Sequence, residues 1–467
     1  MNDTPAPDLA RTDPGRPVRP GPGSTPRHAR ETALAVAERL RTPRTVDEIT
    51  RHARALLPDD VSFPRWHPAQ LLLGHTGIAM LYSRLAATDA AWGGTAHAHL
   101  SAALPHTSTD TIGDLLLSAA LHAQAHGGYG KLLERAVPAH ASAVRALLDP
   151  IERRPRRGGP GLAPAEYDLI SGLTRHGRSL MAGAELGHPD AVEALHRVLG
   201  VLTGMARPRR AHGRQVPGWW IDPERAPAPR AGATAHPLGE FDVGVSHGIC
   251  GPLALLSLAH RAGHTVPGMS EAIRTMADWV MSRRLVGDEG TYWPGRLAFE
   301  AETEWSRGAT PMVAPRSDWC YGTAGTARAL HLAGRALDDR ALTDASADAM
   351  RAVFRRPYTG EALPDATFCH GRAGILLSAV RMAADTGDAT VWAGADRLAR
   401  DLADDFDPTT AFGYRYPLSP YPGGPAVDEP GLLQGAAGVA LTLLSYADAR
   451  LGRPPGAAAW DTAFLMA

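Results

Sequence analysis

The sequence predicts an all-α protein built from stacked helix pairs, and three observations carry that prediction. A unit of Gly-x-x-Gly followed by an apolar run recurs along the chain. A second helical pattern follows most of these runs. Alternating strand patterns are scarce and no βαβ rhythm interrupts them. Self-similarity of this kind has to be treated as architecture before any single motif is read.

In order, the units are "LLLGHTGIAMLYSRL" (Gly74, Gly77), "DTIGDLLLSAALHAQ" (Gly113), "LISGLTRHGRSLMAG" (Gly172), "SHGICGPLALLSLAH" (Gly248, Gly251), "CYGTAGTARALHLAG" (Gly322, Gly325), "CHGRAGILLSAVRMA" (Gly371, Gly374) and "LLQGAAGVALTLLSY" (Gly435, Gly438), about seven in all. In "EAIRTMADWVMSRRL", Ile273, Met276 and Val280 fall on one face at i, i+3, i+7 spacing, which makes the unit a helix pair. The glycines permit positive φ and close approach of neighbouring helix ends. On that reading Arg175, where the third unit departs from the second glycine, is strained in any left-handed conformation. Stacked pairs bury their apolar faces against their neighbours, and a closed ring and an open solenoid both satisfy this.

The segments "RRPRRGGPGLAPAE" and "RPRRAHGRQVPGWWIDPERAPAPRAGATAHPLGEF" are too rich in Pro, Gly and Arg for helix and are expected to be extended loops. The repeat continues on both sides of them, so residues 31–467 are expected to form a single domain. The Pro/Arg-rich residues 1–30 are expected to be a disordered tail.

Composition excludes several classes. A formal net charge of −1 and sparse aromatics give no reason to expect a nucleic-acid partner. Three cysteines cannot make a disulfide framework and suit a reducing compartment. No apolar stretch reaches the roughly 18 residues of a membrane span, and the N-terminus has no secretory apolar segment. A cytoplasmic protein is expected.

Aligning the units on their first glycine places Cys320-Tyr321 before Gly322, Cys369-His370 before Gly371 and Ser246-His247 before Gly248. Two of the three cysteines therefore occupy one slot in consecutive units. Buried thiols with a capping histidine account for this, and so does a metal site of Cys320, Cys369 and His370 with an open fourth position. A competing motif, "GVSHG" (Gly244 to Gly248), matches the G-x-S-x-G nucleophile elbow. It lacks the preceding strand and α/β surroundings that an elbow requires.

The motifs "YDLISGL", "SHGICG", "WCYGTAG" and "CHGRAG" resemble those of the lanthionine synthetase C-like family (the class I lanthipeptide cyclases, LanC), in family order from about residue 65 onward. The resemblance implies an α/α toroid of about seven helix pairs around a central zinc ion held by Cys320, Cys369 and His370. It implies a cyclase that adds precursor-peptide cysteine thiols to dehydroalanine or dehydrobutyrine, forming lanthionine or methyllanthionine thioethers. His247 matches the family's acid/base histidine, with a helix cap or core histidine as the alternative. Asp168 matches an aspartate that orients it or shares in proton transfer, and is otherwise an N-cap. Arg316 matches a family active-site arginine that pairs with Asp168 or stabilises the enolate oxygen; Tyr321 is a candidate hydrogen-bond donor near it. Against these stand a solvated charge for Arg316 and simple packing for Tyr321. His75 and His176 match no motif and read as structural or surface, and Cys250 reads as a small buried hydrophobe.

The implied partners are a dehydrated precursor peptide, a separate dehydratase and a membrane exporter. The location is cytoplasmic, or peripheral to the inner membrane through a biosynthetic complex. Two rivals remain within the same fold. One is a LanC-like protein that adds a small thiol such as glutathione to dehydroamino acids in proteins. The other is a non-catalytic, zinc-containing peptide-binding scaffold.

Overall fold

The computed structural model describes residues 25–57, 66–154, 161–226, 236–305, 308, 310–356, 365–418, 424–453 and 459–467. Residues 1–24 of the expected tail lie outside the described residues. Thr25–Arg30, also assigned to the tail, instead form the first turns of helix α1 (Thr25–Leu40).

Helix α2 (Pro43–Ala55) follows, and then the repeat begins with α3 (His75–Ala86) and α4 (Gly93–Ala103). The second unit is α5 (Ile112–His126) and α6 (Gly130–Glu152); after the short α7 (Pro164–Tyr167), the third is α8 (Leu173–Glu185) and α9 (Pro189–Gly204). The fourth is α10 (Cys250–Arg261) and α11 (Met269–Ser282), followed by the short α12 (Phe299–Trp305). The fifth is α13 (Thr323–Ala336) with α14 (Arg340–Arg355), the sixth α15 (Arg372–Thr386) with α16 (Ala389–Asp404), and α17 (Ala436–Arg450) closes the series. The partner of α17 is α1, from the opposite end of the described chain.

Burial separates two layers. In α17 nearly every residue from Ala436 to Asp448 is buried, because the helix has neighbours on all sides. Helix α14 buries one stripe, Leu342, Ala349, Met350 and Val353 among it, and turns its charged residues to solvent. In the inner layer α3 packs on α5, α5 on α8, α8 on α10, α10 on α13, α13 on α15 and α15 on α17, and α17 packs on α3. The neighbour relations thus return to their start.

Two expectations are corrected. None of the glycines of the repeat has a positive φ. Gly322, which precedes α13, is extended (φ −101°, ψ −179°), and Gly325 lies inside the helix. What requires glycine is proximity: a Cβ on Gly325 would sit 1.9 Å from the Trp319 carbonyl oxygen, and one on Gly322 would sit 2.3 Å from the Asp318 amide nitrogen. Arg175 likewise sits in helix α8 without left-handed strain. The second correction concerns the long segment after α9. It contains a hairpin of β1 (Arg209–Ala211) and β2 (Arg214–Val216), turned by His212 and Gly213, both at positive φ. It also contains β3 (Glu240–Asp242), which pairs antiparallel with Arg296–Ala298. Other parts of both Pro-rich segments lie outside the described residues.

Candidate functional site

The residues just before the inner helices form linked loops. The Leu169 amide donates to the Ser246 carbonyl (3.1 Å), Val245 to Cys320 (2.8 Å), Cys369 to Leu433 (2.9 Å) and Leu433 to Leu72 (3.0 Å). The Cys320 amide reaches the Cys369 carbonyl at 3.4 Å. Unit two breaks the pattern, because α5 starts from Thr111 and Gly113 is already helical. There the Asp114 carboxylate takes the Leu71 amide (2.9 Å) and receives two Arg175 nitrogens at 2.6 and 3.2 Å. A buried ion pair stands where the other units use a glycine loop.

This linkage brings equivalent positions to one face. Leu73, Ser171, His247, Tyr321, His370 and Gln434 each immediately precede the first glycine of a unit, and all six line a single cavity of about 560 Å³. Cys369 lines it too.

The thiols of Cys320 and Cys369 and a ring nitrogen of His370 lie within 4.8 Å of one another. Cys320 Sγ is 2.8 Å from His370 Nδ1 and donates to Asp318 Oδ1 at 3.1 Å. Two sulfurs and an imidazole nitrogen, converging from two loops in a buried setting, are a donor set suited to a borderline-soft divalent metal. The neighbouring Cys320 pulls the Cys369 thiol downward against its burial. Burial pushes Cys320 up. Burial works to lower the His370 imidazole, but the Cys369 charge outweighs it and the net shift is upward.

Beside this cluster, His247 Nδ1 is 2.6 Å from Asp168 Oδ2. The other Asp168 oxygen accepts the amides of Ile170, Ser171 and Gly172 at 2.6–3.0 Å, which fixes the carboxylate rigidly under the ring. Burial works to lower the His247 value, but Asp168, then Asp242 and Cys369, outweigh it and leave it raised. Asp168 is not the N-cap of α8, which is Gly172; it braces the loop between α7 and α8 and holds His247.

The structure revises Arg316 and Tyr321. Arg316 pairs with Asp318 (Nε to Oδ2, 2.9 Å), not with Asp168, and its guanidinium lies 5.5 Å from the centre of the Tyr321 ring. The Tyr321 hydroxyl bonds Asp242 Oδ2 (3.2 Å) and Arg296 (3.0 Å). Burial keeps the phenol protonated by raising its pKa. Burial also raises Asp242, to about 6, against the opposing charge of Arg296.

Asp318, Asp242, Arg296 and the Asp114–Arg175 pair were missed from sequence. An available signal was the acid four or six residues before the first glycine: Asp168 and Asp318 at four, Asp242, Asp365 and Glu429 at six. His75 and His176 are structural and buried, not surface: His75 Nδ1 is 3.0 Å from His99 Nδ1, and His176 packs on His140. Cys250 is fully buried in α10, as expected for a small hydrophobe.

A family model described as "Lanthionine synthetase C-like protein" matches residues 65–459, and the chain belongs to that family. Among solved structures, nisin cyclase is similar, with a TM-score of 0.68 over 91% of this chain and 97% of that one. At 15% identity this likeness establishes a shared fold. No curated protein matches the chain. No helix among the described residues is long and apolar enough to cross a membrane.

Proposed function

We propose that the chain is a zinc-dependent lanthipeptide cyclase: an α/α toroid whose seven inner helices, six of them entered through a glycine loop, present a thioether-forming site. The observation that carries this reading is the convergence of Cys320, Cys369 and His370 within 4.8 Å, with Cys369 and His370 lining the same cavity as His247, which Asp168 holds. The donor chemistry fits zinc, with Cys320, Cys369 and His370 as its ligands. Bound there, zinc would supply a Lewis acid that deprotonates a substrate thiol near neutral pH.

The chain's own residues account for the rest. In the addition, a sulfur–carbon bond forms at the β-carbon of a dehydroalanine or dehydrobutyrine while the π pair moves onto the carbonyl oxygen as an enolate. Protonation at the α-carbon completes the net addition of S–H across the double bond. His247, whose value Asp168 raises against its burial, would deliver that proton, and the proton lost from the thiol restores the balance. Asp168 fixes which ring nitrogen faces the cavity, since Nδ1 is committed to it. Arg316, about half exposed, offers positive charge toward a developing enolate, and Tyr321 offers a phenol held by Asp242 and Arg296.

The cavity of about 560 Å³ suits a peptide segment that carries both reacting residues. A dehydratase that prepares the substrate and an exporter that removes the product are the expected partners. A cytoplasmic location, free or at the inner membrane through such a complex, fits this role, with the chain from Thr25 onward acting as one domain.

The test measures zinc content and cyclisation of a dehydrated precursor peptide by wild type and Cys369→Ala, with uncatalysed addition subtracted. Wild type is expected to hold zinc and cyclise; the variant is expected to lose both. A variant that loses zinc yet cyclises at the wild-type enzymatic rate overturns the mechanism. Wild type that does not cyclise the peptide but adds glutathione to its dehydroamino acids assigns the chain to small-thiol addition instead.

A further inference from the structure

The segment Trp460–Met466 has no part in the repeat, yet it is buried almost completely against the inner layer. Three arginines from three inner helices hold it. Arg178 of α8 donates to the Ala463 carbonyl. Arg328 of α13 donates twice to the Met466 carbonyl, at 3.0 and 2.6 Å. Arg381 of α15 grips both oxygens of Asp461, one of them at 2.6 Å, and Asp461 itself is fully buried. A fourth inner helix, α17, contributes Ser445, whose hydroxyl accepts the Trp460 indole N–H at 2.9 Å. The chain turns at Leu465 through a left-handed residue (φ 55°), a conformation disfavoured for leucine that persists only when its surroundings fix it.

What this anchorage positions is Phe464. Its ring stacks on Phe368 with centroids 3.9 Å apart and meets Trp319 edge-on at 5.2 Å. Trp319 and Phe368 are fully buried, and each immediately precedes a thiol, Cys320 and Cys369 respectively. Arg178 and Arg328 each lie five residues into their helices, which at about 1.5 Å per residue puts the segment roughly 8 Å below the loop face.

We propose that Phe464 is a positioning residue for the metal centre: it props Trp319 and Phe368 from below and so fixes the separation of the two thiol loops. The inference rests on the reading of Cys320, Cys369 and His370 as zinc ligands. A ligand pair carried on two separate loops holds a metal tightly only if the loops are preorganised, and outer-shell supports of this kind typically contribute about 10- to 100-fold in affinity. The loops touch directly at two places, the 3.4 Å contact from the Cys320 amide to the Cys369 carbonyl and the 2.8 Å contact of Cys320 Sγ with His370 Nδ1. The packed rings of Phe464, Phe368 and Trp319 beneath them add a rigidity that these two contacts alone do not supply.

The test uses the full chain and reads zinc affinity by competition with a chromophoric chelator, together with the thiolate-to-metal absorption of the cobalt(II)-loaded protein. Phe464→Ala, folded by far-ultraviolet circular dichroism, is expected to bind zinc roughly 10- to 100-fold more weakly and to show an altered cobalt spectrum. Phe464→Leu, which refills most of the volume, is expected to recover most of the affinity. Should Phe464→Ala not fold, Asp461→Asn, which frees the segment from Arg381, is expected to weaken zinc binding at least threefold, a smaller step in the same direction. If Phe464→Ala lowers the unfolding midpoint but binds zinc within twofold of wild type, the segment is a floor and not a positioning device. If wild type itself takes up neither zinc nor cobalt, the metal reading fails first, and that outcome is distinct from an unchanged affinity in the variant.

Discussion

Replacing Asp114 by alanine is expected to destabilise the protein by about 3–5 kcal/mol, because it removes one side of a buried ion pair. The Asp114 side chain is 3% exposed and that of Arg175 15%, so little solvent is available to screen either charge. The carboxylate also carries the Leu71 amide at 2.9 Å. Alanine therefore leaves a guanidinium without its counter-charge, with only the Asp110 carbonyl remaining at 3.1 Å, and a backbone donor without an acceptor. Orphaning the amide alone costs about 1–3 kcal/mol, and the two losses overlap because they share one carboxylate. Asp114→Asn keeps an acceptor for Leu71 and removes the charge, so its cost should fall between wild type and alanine. Urea unfolding followed by circular dichroism gives these differences, and a double-mutant cycle with Arg175→Ala isolates the pair. A coupling of about 2–3 kcal/mol is expected. A loss under about 1 kcal/mol for Asp114→Ala, or a coupling within about 0.5 kcal/mol of zero, would refute the idea that this pair replaces a missing glycine loop.

Two further outcomes follow from the same geometry. Gly325→Ala, whose Cβ would meet the Trp319 carbonyl at 1.9 Å, should cost about 3 kcal/mol or more, whereas Gly94→Ala, with nothing within 4 Å, should be neutral or stabilising by up to about 1 kcal/mol; equal unfolding midpoints for the two would sink the close-approach argument. Asp168→Asn keeps an oxygen for the three loop amides but loses the charge that raises His247, so cyclisation should fall by roughly 10²- to 10⁴-fold and its alkaline limb should move to lower pH. The sign for stability is fixed by the same shift. A histidine raised on folding stabilises fully below its unfolded value of about 6.5 and loses that contribution as pH rises through the folded value. The advantage of wild type over Asp168→Asn should therefore shrink from pH 6 upward, and a difference that stays constant from pH 5 to 8 would count against the pairing.

The repeat, its seven inner helices and the two thiol loops were legible because glycine and the paired Cys slots recur at fixed offsets. What stayed hidden has a physical cause in each case. The glycines signalled special backbone, but sequence cannot distinguish a positive φ from a Cβ clash, and here the clash is what counts. Arg175 looked like damage to a motif because its partner, Asp114, lies 61 residues away in the preceding unit. Arg316 and Asp318 are two residues apart, yet a long-range pairing with Asp168 was expected; a local ion pair formed with the shorter reach. Helix α1 escaped notice because Pro/Arg-rich neighbours masked a buried stripe of Ala29, Ala33, Val36 and Leu40.

The acids that precede the glycines help explain how the site is built from four neighbouring loops. In the loops of Asp168 and Asp318 the carboxylate sits four residues before the glycine and bonds the amides of the residues that follow it. In the loops of Asp242 and Asp365 it sits six before, and takes the amide two residues on. Both placements brace the loop from within, so the residue before the glycine is free to face the cavity. Its chemistry then depends on what the neighbouring loops offer. His247 faces Asp168 across one junction, and His370 faces Cys320 across another. Tyr321, between them, is tied back to Asp242 of the His247 loop. Each functional side chain is thus oriented by an adjacent unit, which means that the repeat's regular stacking, and not any single motif, sets the geometry of the site.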